Sequence, residues 1–234
     1  MQNQPELTSR SSSAPRMSTR TLVSMAMLCA ISLVVSYLCT FFPHVAGFLK
    51  FDLKDTVIAI GAFLFGPVPA FFIAVISSLI EMLTMSSTGP IGMIMNILAT
   101  ASFVCPAAYF YKKKHTFSGA VLGLVISTVL LTIVMILWNF LITPIYMDVP
   151  RDVVTAMIPT VFLPFNLLKG AVNAVLVLLL YKPIVTALRK AHLAPESHPA
   201  AGASPRRMSV GRVLLVIVIL ATLTLLVLVL MGVL

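Results

Sequence analysis

The segment Pro164-Phe165-Asn166-Leu167-Leu168-Lys169-Gly170 sets an amide and an ammonium three positions apart inside an apolar run that covers residues 158–181. A run of that length reads as a transmembrane helix, which puts Lys169 near the middle of the bilayer. Holding a lysine there costs about 2.5–3.5 kcal/mol, so its head must face a partner or a polar cavity. Its own helix offers no acid. Asn166 projects from nearly the same helix face, and together an amide and an ammonium present donors and an acceptor on one wall, enough to read a ligand. The plainer alternative is that Lys169 snorkels toward an interface and Pro164 only bends a packed helix. If Lys169 does bind a guest, Lys169→Met is expected to keep the fold and weaken binding.

Three further polar residues belong to the same question. Pro164 lacks an N–H and clashes with the carbonyl of Thr160, so a kink is expected, and carbonyls freed at membrane depth are tolerated where they line a cavity. Asn139, one turn inside the end of another apolar run, is either a ligand contact or a helix-to-helix hydrogen bond. Asn173 reads as interhelical glue. Glu81 is expected in the interfacial zone, where a carboxylate is cheap, with ligand contact as its secondary role.

Composition fixes the setting of these residues. The chain has 234 residues, 59% hydrophobic and 10% charged, with a mean hydropathy of +1.06, which describes a polytopic membrane protein and not a soluble domain. The formal net charge of +9 comes from Lys and Arg beside apolar runs, a topology signal and no sign of nucleic acid. Cys29, Cys39 and Cys105 are too scattered for a disulfide framework or a zinc site.

Residues 1–20 form a polar tail, expected to be disordered and cytoplasmic. Residues 21–42 are a first span, on which Ala26 and Ala30 share one face and allow close helix approach. The connector 43–55 mixes charges with the aromatic residues Phe48 and Phe51; it is either a solvated loop or a lid over a pocket. Residues 56–83 are apolar but interrupted by Gly66-Pro67-Val68-Pro69. Read as two helices, they bring the tail arginines and Lys112-Lys113-Lys114 to the same membrane face, as the positive-inside rule prefers. Further spans cover 91–111, 117–142 and 158–181. Trp138 fits an interfacial belt. Organisation follows as a tail (1–20), a six-helix domain (21–185), a flexible linker (186–210) and an aliphatic seventh helix (211–234).

Catalysis has no visible seat: no phosphate-binding Gly-x-x-x-x-Gly-Lys-Ser/Thr loop, His-Glu-x-x-His pair or Gly-x-Ser-x-Gly elbow occurs. A row of intramembrane acids suited to a proton relay is also missing, so a transporter of this make-up needs energy from elsewhere. A lipid-modifying membrane enzyme stays open as a distant alternative.

Four stretches carry a resemblance: Phe48-Leu49-Lys50-Phe51-Asp52-Leu53, Phe63-Leu64-Phe65-Gly66-Pro67, Asn139 before a proline-containing loop, and the segment from Pro164 to Gly170. Over residues 20–185 the chain resembles the riboflavin-specific substrate-binding subunits of energy-coupling-factor (ECF) vitamin transporters, the RibU family. The resemblance implies an all-α six-helix membrane protein, here with an additional C-terminal helix, that captures riboflavin from outside the cell. It also implies docking on a transmembrane coupling subunit driven by two cytoplasmic ATPases, in the cell membrane, with the N-terminus cytoplasmic. By the same resemblance Asn139, Asn166 and Lys169 contact the flavin; Phe48 and Phe51 from the lid reading of the connector and Glu81 from its secondary role are further candidates. Ala26 and Ala30 match the Ala-x-x-x-Ala motif that meets the coupling subunit. Riboflavin is then cargo, and no cofactor or metal is implied. The seventh span departs from the family's six. The same architecture holding another vitamin or precursor remains the alternative, because fold does not fix ligand.

Overall fold

Gly66 ends one helix and opens the next. Its φ of 98° suits a residue without Cβ, and Pro67 follows at the first helical position, where a missing N–H costs nothing. In the computed structural model, which describes residues 19–42, 49–86, 88–114 and 116–193, residues 56–83 are therefore two helices, as the charge pattern required.

The elements in order are α1 (Thr19–Cys39), α2 (Lys54–Phe65), α3 (Pro67–Thr84), α4 (Gly89–Lys114), α5 (Phe117–Met147) and α6 (Arg151–Met157), then a π-helical turn (Ile158–Phe162) that runs into α7 (Leu163–Lys190). Five stretches are long and apolar enough to cross a membrane: α1, α3, α4, α5 and the continuous Arg151–Lys190. With 12 residues, α2 is about 18 Å long, well short of the roughly 30 Å hydrocarbon layer. It is buried on every side from Lys54 to Ala62, as a helix apolar all round must be. α2 is thus the central post of the bundle, wrapped by α1, α3, α4 and α7.

Cross-helix contacts set the up-and-down order. Lys54 at the start of α2 and Asn96 early in α4 both reach Glu81 near the end of α3. Tyr111 near the end of α4 meets Tyr181 of α7, their hydroxyls 2.9 Å apart, and Phe63 stacks on Tyr111 with ring centroids 4.5 Å apart. The bundle therefore has a loop end, carrying residues 49–53, and a lysine end, carrying Lys112, Lys113 and Lys114. At the lysine end Ser24 of α1 donates to the carbonyl of Leu193, beyond α7. Ala26 and Ala30 are exposed on the outer face of α1.

Small residues bring the helices close. A Cβ on Gly61 would lie 2.8 Å from Leu28 Cδ1, and one on Gly123 would lie 3.0 Å from the carbonyl oxygen of Ala107. α7 continues to Lys190, past residue 185 where the six-helix domain was expected to end. Phe48, most of the tail, most of the linker and the aliphatic stretch 211–234 lie outside the described residues.

Gly170 lets α5 and α7 approach closely, since an added Cβ would sit 2.7 Å from Thr128 Cγ2. Gly170→Leu should push these helices apart and cost about 1–3 kcal/mol, read as a fall in the melting temperature of the purified protein. An unchanged melting temperature would mean that the close approach is not needed.

Candidate ligand-binding site

The polar interior begins at Glu81, 3% exposed on α3. Its Oε1 accepts from Ser36 Oγ of α1 at 2.8 Å and from Lys50 Nζ of the loop at 3.3 Å. Its Oε2 accepts from Lys54 Nζ of α2 and from Asn96 Nδ2 of α4 at 3.3 Å. Four donors fill the lone-pair positions a carboxylate offers. The interfacial placement expected for Glu81 is therefore corrected: it lies inside the bundle because two lysines come inside with it. Its carboxylate retains no open acceptor for a guest.

Asp52 joins the same network. Its Oδ2 lies 3.3 Å from Lys54 Nζ, and its Oδ1 accepts the backbone N–H of Lys54 at 2.9 Å, which caps the start of α2. Burial raises the pKa of this loop carboxyl, but Lys54, Lys169, the Lys54 N–H and Lys50 outweigh that effect and hold it below the usual value.

Lys169 is 8% exposed and faces inward, not toward lipid or an interface. Its counter-ion is Asp55 in the first turn of α2, with Nζ 3.5 Å from Oδ2. Asp55 is itself held by Thr100 Oγ1 of α4, which donates to Oδ1 at 2.6 Å. At 3.5 Å the ion pair attracts but falls outside hydrogen-bond geometry. Asp55 Oδ2 has no hydrogen-bond partner. Nor, among the described residues, does the Lys169 ammonium form a hydrogen bond, so all three of its N–H donors are open. One turn deeper, Asn173 donates to the carbonyls of Asp52 and Lys169 and accepts from Thr56 Oγ1 at 2.7 Å. It ties α7 to the loop and to α2, in the glue role expected of it.

Asn166, 2% exposed, donates to the carbonyl of Phe162 at 2.8 Å. That leaves one N–H and the amide oxygen for another partner. The distortion expected ahead of Pro164 is a π-helical turn over Ile158–Phe162, in which the N–H of Leu163 reaches back to Ile158. Such turns widen a helix by one residue without ending it. Among the described residues Asn139 bonds within its own helix and makes no bond between helices, donating to the carbonyl of Met135 at 2.7 Å and accepting from Thr143 Oγ1 at 3.0 Å. One N–H is left over beside a cleft between α4 and α5 that is lined by Thr88, Met95, Trp138, Asn139, Thr143 and Tyr146, among others. Trp138, expected at an interfacial belt, helps to wall that cleft and packs on the core.

Phe51 meets Phe165 edge to face at 6.0 Å and packs with Leu49, Val154 and Phe162. Leu49 and Asp52 are 3% and 4% exposed, so this part of the connector is folded into the bundle and the solvated-loop alternative fails for it. The structure thus sets Asn166 and Lys169 on the loop-end turns of α7, where Phe51 meets Phe165. Asn139 borders a separate cleft of about 30 Å³, a volume far below the roughly 300 Å³ at which small-molecule pockets begin.

Sequence reasoning missed Asp55, Asp52, Lys54, Asn96 and Thr100. A signal existed. A lysine at membrane depth needs an acid from another helix, and Asp52, Asp55, Glu81, Asp148 and Asp152 are the acids that border apolar runs at the loop end. Among the described residues no group of three or more His, Cys, Asp or Glu is placed to hold a metal ion.

With this geometry in hand, known proteins give the family. A family model described as "ECF transporter, substrate-specific component" matches residues 20–181. The chain belongs to that family. It is 30% identical over 176 residues to the riboflavin transporter RibU of Staphylococcus aureus (strain TCH60), covering 72% of this chain and 92% of that protein. Against the riboflavin transporter FmnP of Bacillus subtilis (strain 168) it is 30% identical over 189 residues, covering 76% and 100%. A solved structure described as "Structure and mechanism of the S component of a bacterial ECF transporter" superposes with a TM-score of 0.61 at 32% identity, over 73% of this chain and 98% of that one. This ECF substrate-specific component is therefore an all-α, multi-pass membrane protein with the S-component fold. It is a transport protein and not an enzyme, which closes the lipid-enzyme alternative.

In this S component, Glu81→Ala would strand Lys50 without a carboxylate and leave Lys54 with Asp52 alone. Removing one partner of a buried ion pair costs about 3–5 kcal/mol, so the apparent melting temperature should fall sharply or the protein should fail to accumulate in membranes. Wild-type stability in the variant would show that the network does not hold the helices together.

Proposed function

We propose that this S component captures riboflavin from the outer side of the cell membrane for ATP-driven uptake. One observation carries the reading: a buried ammonium, Lys169, whose N–H donors no described residue takes and whose charge is already compensated by Asp55. A flavin's pyrimidine edge alternates carbonyl acceptors with an N–H, which suits an ammonium beside the amide oxygen and N–H of Asn166. Phe51 and Phe165 supply aromatic surface for the rings. The relatives named as riboflavin transporters support the same ligand.

In this reading the loop end faces outward and the N-terminus is cytoplasmic, consistent with the lysine triplet at the opposite end. Ala26 and Ala30, exposed on α1, meet a transmembrane coupling subunit that two cytoplasmic ATPases drive. Residues 21–185 carry the ligand. Asn139 contacts the guest once the cleft beside it opens, and Phe48 contributes from the loop.

Titration of riboflavin with the purified full-length chain tests this reading through quenching of flavin fluorescence. Saturable quenching at or below micromolar protein is expected, and Asn166→Leu should weaken it by about 10- to 100-fold, the effect of one or two lost hydrogen bonds to a buried polar ligand. Absence of quenching in the wild type, or displacement of riboflavin by a different vitamin at lower concentration, would transfer the assignment to another ligand.

Lys169→Met alone is a poor probe. It strands the buried Asp55 carboxylate, so the expectation that this variant keeps its fold is replaced by a loss of stability. Lys169→Met combined with Asp55→Asn removes both charges and should melt higher than Lys169→Met, read in the absence of ligand.

A further inference from the structure

We infer that Asp55 is the positioning residue of the binding site: it holds and neutralises the Lys169 ammonium without consuming its hydrogen bonds, leaving those donors aimed at a neutral acceptor. The inference rests on the ligand reading above and adds a residue to it.

Two lysines in the same interior are held in opposite ways. Lys54, 1% exposed, is bound by both Glu81 and Asp52. Its ammonium hydrogen-bonds Glu81 and pairs with Asp52, and its role is structural. Lys169 has one carboxylate at ion-pair distance, Asp55 at 3.5 Å, with Asp52 acting on it from farther off; the Asp55 gap is too long for a hydrogen bond and too short for an intervening water. Coulomb attraction survives such a gap, whereas hydrogen bonding does not. The ammonium is thereby kept in place, and no described residue takes its N–H groups.

Asp55 is equipped for this role. Its Oδ1 is fixed by Thr100 at 2.6 Å, which orients the carboxylate, and its Oδ2, fully buried, has no hydrogen bond. The position on α2 also matters. In the first turn a carboxylate is favoured by the helix dipole, and α2 is buried over most of its length, so the carboxylate is carried on a rigid element. On the other side, Asn173 fixes the backbone carbonyl of Lys169 at 3.0 Å. Both ends of the lysine are thus controlled, its main chain by Asn173 and its head by Asp55. Because the pair is neutral as a unit, the guest must bring lone pairs but no charge.

The test is a double-mutant cycle on the full-length chain, using riboflavin titration and ligand-free melting temperature. Asp55→Asn keeps the shape and the bond from Thr100 but removes the charge, and it should weaken riboflavin binding by about tenfold or more. In a Lys169→Met background the same change should alter affinity less than about twofold, since a positioning residue acts through the residue it positions. Thr100→Val, which loosens Asp55 without altering any charge, should give a smaller loss that likewise vanishes when Lys169 is absent. In the ligand-free melts, the double variant Asp55→Asn/Lys169→Met should exceed both single variants. Equal loss of affinity from Asp55→Asn with and without Lys169, or additive melting shifts, would overturn the inference by making Asp55 an ordinary packing residue. If the wild type binds no riboflavin, the ligand reading fails by itself, while the melting cycle still decides whether Asp55 and Lys169 act as a unit.

Discussion

The Glu81 carboxylate is the interaction on which the rest depends. Ser36 of α1, Lys50 of the loop, Lys54 of α2 and Asn96 of α4 all converge on it from different elements. In hydrocarbon, apolar helix faces gain little by meeting one another, because lipid tails are as apolar as leucine. A saturated carboxylate at the junction of four elements supplies what hydrophobic burial does not, namely a single register. Moving α3 by one turn against α2 would part Glu81 from Lys54, leaving Lys54 with Asp52 alone and the buried Glu81 carboxylate with a large desolvation penalty.

The network is also electrically closed. Lys50, Lys54 and Lys169 are matched by Asp52, Asp55 and Glu81, so the interior carries no net charge despite the strongly basic chain. That closure explains how a protein with a mid-span lysine is stable before any ligand arrives. It also separates structural from functional charge. Glu81 is filled and Lys54 is bonded to it, whereas among the described residues Lys169 and Asp55 Oδ2 keep unfilled positions, and unfilled positions on buried groups are where a guest adds stability.

The legible part of this architecture was what lipid and water enforce locally. Apolar runs, the Gly66-Pro67 break and the basic residues at one end each follow from one-dimensional rules, so the helices and their order could be read along the chain. Lys169 and Asn166 could be singled out because a polar group at membrane depth is an anomaly against its own neighbours. Partnership was not legible in the same way. Asp55 lies at the border of an apolar run, where a charge looks ordinary, and only the shortness of α2 draws it into the bundle. Glu81 misled for the same reason: near the end of an apolar run it resembled an interfacial residue until α1, α2 and α4 closed over it.

The shortness of α2 therefore links sequence to site. A helix spanning the full bilayer would carry Lys54 and Asp55 to the membrane surface, where water would satisfy them and Lys169 would have no counter-ion. By ending its length at Gly66 and starting below the rim of the bundle, α2 sets its charged first turn at the depth of Asn173 and Lys169 on α7. The connector Leu49–Leu53 is then obliged to follow it inward, which is why Leu49 and Asp52 are buried and why Phe51 reaches Phe165. Lengthening α2 by a turn would separate these partners even with every side chain unchanged. The binding wall is thus a consequence of one truncated helix as much as of the residues displayed on it.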